Sequence, residues 1–363
     1  MRLIASLLII FITVIIPTPI KAKPVMVERL IFLEEPMFSG SGSIRETIEQ
    51  SQTQIRTELE RLSIEDKIQE YHAFWIQNVI SVIGQLDVIE KLSNFSGVRA
   101  IIPNKRIFIP HENSLEKDIL SKTEIGEIEW NLKMIGAPEV WMSGNEGEGA
   151  TVGVLDTGCD PVHPELAGKI VNFASFDSYG RKSSQTISND SDGHGTGVCS
   201  VIAGEKLGVA PKAKLIVGQV IPGGSGSLTQ IIAGLQWIAD PDDNPETNDF
   251  PKVVNMSFGS EGTMEYLSPG IKNLVSIGIL PVASIGNDGE GSSSNPGNMP
   301  DVFAVGSVNY SMKSSTFSGG DQVVWENDDD SITLIKPDVC APGEGIRVAA
   351  PHRSYDVVDG TSF

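Results

Sequence analysis

The sequence predicts an α/β fold, a mostly parallel sheet with helices on both faces, preceded by a small α+β domain. Three observations carry that expectation. From residue 150 onward, short apolar runs of strand length recur with helical patterns between them. Residues 24–110 carry a different, mixed pattern, and a polar stretch at 111–129 separates the two regions. Strands that are apolar throughout belong in a sheet covered on both sides, and strands alternating with helices make that sheet parallel.

The chain opens with Arg2 and an apolar run over residues 3–16, followed by Pro17, Pro19, Lys21, Ala22 and Lys23. As a helix that run would reach about 21 Å, short of a hydrocarbon core of about 30 Å. Residues 1–22 therefore read as a secretory signal peptide cleaved after Ala22, although Ile20 is larger than that pattern wants. An uncleaved anchor is the rival. No other stretch approaches a membrane span, so a secreted, extracellular protein is expected.

Residues 25–33 alternate loosely as a strand, and the Gly/Ser patch at 39–43 marks a turn. Ile44, Ile48, Ile55, Leu59, Leu62, Ile68, Trp75, Ile76, Val79, Ile80 and Ile83 follow at mostly three-, four- and seven-residue steps. That spacing predicts a helical stripe broken once near Ser63. Residues 88–95 read as helix, and 98–110 as extended chain punctuated by two prolines; Phe74 and Trp75 read as core. The connector at 111–129 is exposed in character and suits a proteolytic cut. Beyond it, strands are expected at 151–155, 215–220, 252–257, 279–284 and 302–307, with helices at 193–203, 228–238 and about 263–277.

Composition narrows the function. With 47 acidic and 27 basic residues the net charge is -20, which excludes a protein that lays a basic stripe on nucleic acid. Apolar residues at 40 % and charged residues at 20 % indicate a folded chain. Acidic clusters at 240–249 and 326–330 read as solvated loops, with calcium binding as the rival because carboxylates suit a hard cation. Neither has EF-hand spacing, so no metal site is assigned.

Ligands of open parallel sheets bind beyond the carboxyl ends of the strands. There the chain places Asp156-Thr157-Gly158-Cys159-Asp160, then DGHGTGVCSVIAG at 192–204, then Ile285-Gly286-Asn287, and finally Asp359-Gly360-Thr361-Ser362-Phe363. In chain order these supply a carboxylate, an imidazole, an amide and a hydroxyl. A serine hydroxyl needs an adjacent imidazole to take its proton, and the imidazole needs a carboxylate to fix its tautomer. A side-chain amide beside the nucleophile's own N–H can then stabilise a developing oxyanion.

On these motifs the chain resembles the subtilisin-like serine endopeptidases. DTGCDPVHPEL at 156–166 resembles the family's aspartate motif and DGHGTGVCSVIAG its histidine motif. NMSFGS at 255–260 resembles a cleft-lining strand, IGN at 285–287 the oxyanion region, and APG at 341–343 with GTS at 360–362 the approach to the serine. WNLKMIGAPEVW at 130–141 and the segment after Ser318 look most like the bacillopeptidase F type. The resemblance implies a subtilisin-like sheet over 130–363, with Asp156 as orienting acid, His194 as general base, Ser362 as nucleophile and Asn287 as oxyanion donor. It implies cleft walls at Gly224, Ser225 and Gly226 and at Ser257, Phe258 and Gly259, with Phe258 bordering a specificity pocket. It also implies polypeptide substrates, no cofactor for the chemistry, room for a structural calcium, and residues 24–110 as a propeptide that blocks its own cleft.

Two residues depart from the family pattern: Gly197 stands where a second histidine is common, and Phe363 where methionine is usual. Phe363 is expected to fit if the neighbouring space is larger. Because the family's serine opens a long helix, the peptidase domain is expected to be incomplete after Phe363, leaving Ser362 without an anchor and this chain inactive. The alternative is a non-catalytic remnant whose N-terminal domain acts as a protease inhibitor or binding module. Cys159 and Cys199 are expected near each other, as buried thiols, as a disulfide or as a mercurial-sensitive thiol. A zinc site from Asp160, His163 and His194 is set aside because the imidazole is already in use. A nucleotide site at GGSGS, 223–227, lacks the lysine of a phosphate loop.

Overall fold

A computed structural model describes residues 25–36, 43–109, 113–114, 128–262, 265–327 and 330–363. The signal expected at 1–22 and most of the 111–129 connector lie outside these residues.

The first unit is a four-stranded antiparallel sheet in the order Ile68–Phe74, Val79–Gln85, Met26–Leu33, Val98–Ile102. Helices Ile44–Ser51, Thr53–Ile64 and Leu86–Lys91 complete it. The first helix starts at a capping box, where Ser43 and Glu46 satisfy each other's backbone N–H groups. Ile55, Leu59 and Leu62 pack on Ile31, Ile80 and Val82 and cover one face of the sheet.

The helical stripe expected through Ile83 ends at Ile64, and this is a correction. Beyond it, Ile68–Phe74 and Val79–Gln85 are strands. Both faces of the second strand are buried: Ile80 and Val82 face the helices, while Val79 joins the core shared with the larger unit. Burial on two sides erased the polar alternation that distinguishes a strand from a helix, and the β-branched residues there carried the better signal.

The larger unit is a seven-stranded parallel sheet ordered Val339–Pro342, Phe303–Val308, Leu280–Ser284, Val253–Met256, Thr151–Asp156, Lys214–Gln219, Ile170–Ser175. Leu228–Ala239 and Ser268–Ile277 cover one face through Ile231, Leu235 and Leu274. His194–Ala203 covers the other, with Val198, Cys199 and Ala203 against Val154, Leu215 and Val217. The five expected strands and three expected helices are present within a few residues of their predicted bounds.

Both edge strands and two hairpins, Asp321–Asn327 with Asp330–Lys336 and Ile346–Ala350 with Ser354–Asp359, were not foreseen. The edge strand Val339–Pro342 is partly solvated, only four residues long and closed by a proline, so it does not read as a buried run.

After Thr151–Asp156 the chain runs to the far edge, returns to Lys214–Gln219, and then crosses to Val253–Met256 on the other side of the first strand. The strand order reverses there, at the carboxyl end that carries Asp156. Such a switch point opens a crevice in the sheet. Among the described residues no helix is long and apolar enough to cross a membrane.

Candidate active site

Asp156 ends its strand fully buried, and His194 begins its helix. His194 Nδ1 lies 2.7 Å from Asp156 Oδ1, which also accepts the Thr157 N–H at 2.6 Å. A carboxylate only accepts, so Nδ1 carries the ring proton and Nε2 presents a lone pair. This approach depends on Gly195. A Cβ there would stand 2.2 Å from the Gly158 carbonyl oxygen and 3.0 Å from Asp156 Oδ1.

The serine end arrives from the hairpin Ile346–Ala350/Ser354–Asp359. Asn287 Oδ1 accepts from the Thr361 N–H at 2.9 Å and from Thr361 Oγ1 at 2.8 Å. Two donors on the oxygen settle the amide's orientation and turn Nδ2 away from Thr361. Ser362 is only 8 % exposed, and its Oγ has no hydrogen-bond partner among the described residues. Among the described residues no hydrogen bond joins Ser362 Oγ to His194 Nε2.

Ser362 is held at its backbone. Ser257 Oγ donates to its carbonyl oxygen at 3.2 Å, and the Phe363 ring lies 5.4 Å from the His194 ring. The two departures from the family pattern also fit each other. Phe363 Cε1 comes within 3.0 Å of where a Cβ on Gly197 would sit, so the ring fills space that a side chain at 197 would take.

The two segments expected to line a cleft both pair with the chain's own backbone. Residues Arg106–Phe108 lie antiparallel to Ser225–Ser227, and Ile109 N donates to Gly224 O at 3.2 Å. On the other side, Phe108 and Gly259 exchange backbone hydrogen bonds at 3.3 and 2.9 Å. The chain's own residues 106–109 therefore form the middle strand between the two walls. Ile107 is 2 % exposed, in the apolar cluster that also holds Phe258, whereas Phe108 is 50 % exposed. Of the six residues expected there, Gly224, Ser225, Gly226 and Gly259 pair with this strand along the backbone, and Ser225 Oγ also accepts from Arg106 Nη2 at 2.6 Å. Ser257 instead braces Ser362, and the Phe258 side chain is core. Further on, Asn113 and Ser114 pair with Asp359 and Val358, just before the serine.

Other candidates resolve into structure. His163 is buried, its Nδ1 accepts from Glu165 N at 3.2 Å, and its Nε2 donates to Ser354 O at 2.9 Å, so it braces the serine hairpin. Cys159 and Cys199 are buried free thiols packed together, and burial pushes the Cys159 thiol well up, which leaves it inert. Asp240, Asp242 and Asp249 bring carboxylate oxygens within 4.8 Å of one another. Arg45 already supplies a cation there, 2.8 Å from Asp240 and 2.9 Å from Asp243. The feature that sequence reasoning missed is Asp190, whose carboxylate joins the aspartate turn to the histidine helix; only its place four residues before His194 could have marked it.

Comparison with known proteins shows the family. The model of the subtilase family matches residues 147–363. The major intracellular serine protease of Bacillus subtilis is 33 % identical over 253 residues, covering 66 % of this chain and 72 % of that protein. Bacillopeptidase F of Bacillus subtilis is 28 % identical over 351 residues, covering 89 % of this chain but 24 % of that protein. That alignment extends well in front of residue 147. The subtilisin-like protease PopC of Myxococcus xanthus is 31 % identical over 265 residues, and the chain spans 54 % of its length. A family model that covers more than half of the chain, and a relative one third identical over most of its own length, show that the chain belongs to the subtilase family of serine-type peptidases.

Proposed function

We propose that this chain is the zymogen of a secreted endopeptidase, with Asp156, His194 and Ser362 as its catalytic triad and residues 24–110 as a propeptide seated in the cleft. The observation that carries this reading is the strand 106–109, hydrogen-bonded on both sides between 224–227 and 259. A polypeptide held there by its backbone passes the carboxyl end of the Asp156 strand as an added β-strand. Backbone pairing accepts many sequences, which suits an enzyme that takes polypeptides.

In the proposed reaction, His194 Nε2 accepts the Ser362 Oγ proton as the oxygen attacks the scissile carbonyl carbon. Asp156 holds the imidazole through Nδ1 and stabilises its cationic form. The negative oxygen is met by Asn287 Nδ2 and the Ser362 N–H. Collapse breaks the C–N bond, the imidazolium gives its proton to the leaving amine, and an acyl-enzyme remains. Water then attacks the acyl carbon as it loses a proton to His194, and collapse breaks the ester C–O bond, the imidazolium returning its proton to Ser362 Oγ as the acid leaves. No cofactor enters these steps.

While residues 106–109 occupy the cleft, a substrate strand cannot, so the intact chain turns over little. Residues 1–22 would direct export, and a cut within 111–129 would free the propeptide. Casein hydrolysis before and after limited proteolysis in that connector tests the proposal. Activity should rise on cutting and vanish in Ser362→Ala; equal hydrolysis by Ser362→Ala would overturn it.

A further inference from the structure

We propose that Asp190 is a positioning residue that sets the His194–Asp156 geometry, an inference that rests on the triad reading above and deepens it. Asp190 lies in neither motif turn, yet its carboxylate closes a hydrogen-bonded ring around both. Oδ1 accepts from Thr157 Oγ1 at 2.9 Å, from Gly193 N at 2.9 Å and from Asp192 N at 3.1 Å. Oδ2 accepts from Thr196 N at 2.9 Å and Thr196 Oγ1 at 2.7 Å.

Each threonine hydroxyl that donates to Asp190 also accepts from the opposite turn. Thr157 Oγ1 takes the Gly195 N–H at 2.9 Å, and Thr196 Oγ1 takes the Asp160 N–H at 3.0 Å. Thr157 directly follows the triad acid, and Gly193, Gly195 and Thr196 bracket the triad imidazole. The two turns are thus locked in register on both sides of the 2.7 Å His194–Asp156 contact.

Only a carboxylate can fill this position. All five partners are donors, so both oxygens must accept, and charge-assisted acceptance from backbone N–H groups is the strong kind. An asparagine would keep one oxygen for Thr157 and Gly193 but turn N–H toward the Thr196 N–H. Alanine would leave three backbone donors and two hydroxyls to find other partners.

The consequence is kinetic. A base displaced by about 1 Å loses on the order of 100-fold in turnover, whereas backbone binding of substrate along 224–227 and 259 is untouched. Asp190→Ala should therefore lower kcat about 100-fold per active site with KM nearly unchanged, and Asp190→Asn should fall between. Glu326→Gln is the charge control: Glu326 is an exposed carboxylate on the strand Asp321–Asn327, outside the ring around Asp190, so its neutralisation should change kcat little.

The test combines kinetics on the connector-cut protein, normalised to titrated active sites, with nitrogen-15 NMR of the His194 ring in the full chain. The proposal expects the hydrogen-bonded Nδ1–H signal to weaken in Asp190→Ala while the fold persists. If that variant does not fold, Thr157→Val, which removes one side of the ring, is read in the same way and should lose about tenfold in kcat. Unchanged kcat per site and an unchanged Nδ1–H signal, with only melting temperature lowered, would overturn the proposal. Failure of the triad reading is separate: it would appear as full activity in Ser362→Ala, and the ring signal would still judge Asp190.

Discussion

Gly197 and Phe363 should behave as a single packing unit, which a double substitution can measure. A Cβ at 197 would lie 3.0 Å from Phe363 Cε1 and 3.3 Å from Val348 Cγ2, both tighter than ordinary carbon contact. Overpacking of this kind costs about 1–3 kcal/mol, whereas exchanging glycine for alanine inside the His194–Ala203 helix gains up to about 1 kcal/mol. Gly197→Ala should therefore destabilise the wild type by about 1 kcal/mol. With Phe363→Met, the flexible thioether yields and mainly the helix gain remains, so the same substitution should stabilise by about 0.5 kcal/mol. The coupling, about 1.5 kcal/mol, falls within the range for residues in contact. Urea denaturation of the four proteins, compared by midpoint at constant slope, measures it. A Gly197→Ala effect of the same sign and size in both backgrounds would refute the reasoning.

Gly195→Ala places its methyl against the Gly158 carbonyl, which cannot swing aside. Kinetics on the connector-cut protein should show loss of about 100-fold or more in kcat through displacement of the base. Ile107→Asp puts a charge in a fully buried site between the cleft walls, so casein hydrolysis by the uncut chain should rise while the cut enzyme is unaffected. Burial pushes the His72 imidazole below its ordinary value despite Glu70 and Asp177. The unfolded chain then binds a proton that the folded chain refuses, so His72 subtracts stability as pH falls below about 6.5. The fall in melting temperature between pH 7 and pH 5 should accordingly be smaller in His72→Phe. Arg45→Ala removes the cation beside Asp240 and Asp243, and calcium should then raise the melting temperature more than it does in the wild type.

The central sheet was legible because Val154, Val217 and Val254 sit in strands covered on both faces, and such strands print as unbroken apolar runs. The candidate site could be picked out for a related reason: Asp156, His194 and Asn287 follow strand ends or open a helix within glycine-rich turns. Val79–Gln85 misled because its two buried faces belong to different units, and one chain segment does not announce that a second unit will cover it. The strand 106–109 could be read as extended, but its place between Gly224 and Gly259 depends on pairing across more than 100 residues of sequence. Asp190 was invisible because four of its five donors are local turn and helix-start groups, and the Thr157 hydroxyl that ties it to the aspartate turn meets it only after folding. Ser257 looked like a cleft residue by position, and its side chain turned out to brace Ser362.

Covalent labelling tests the central claim most directly. The chain would be treated with a fluorophosphonate before and after cleavage between residues 111 and 129, and the adduct mapped by mass spectrometry. The account predicts one adduct, on Ser362, slow to form while residues 106–109 fill the cleft, faster after their release, and absent in His194→Ala. An adduct on another residue, or equal labelling of Ser362 without the imidazole, would contradict it.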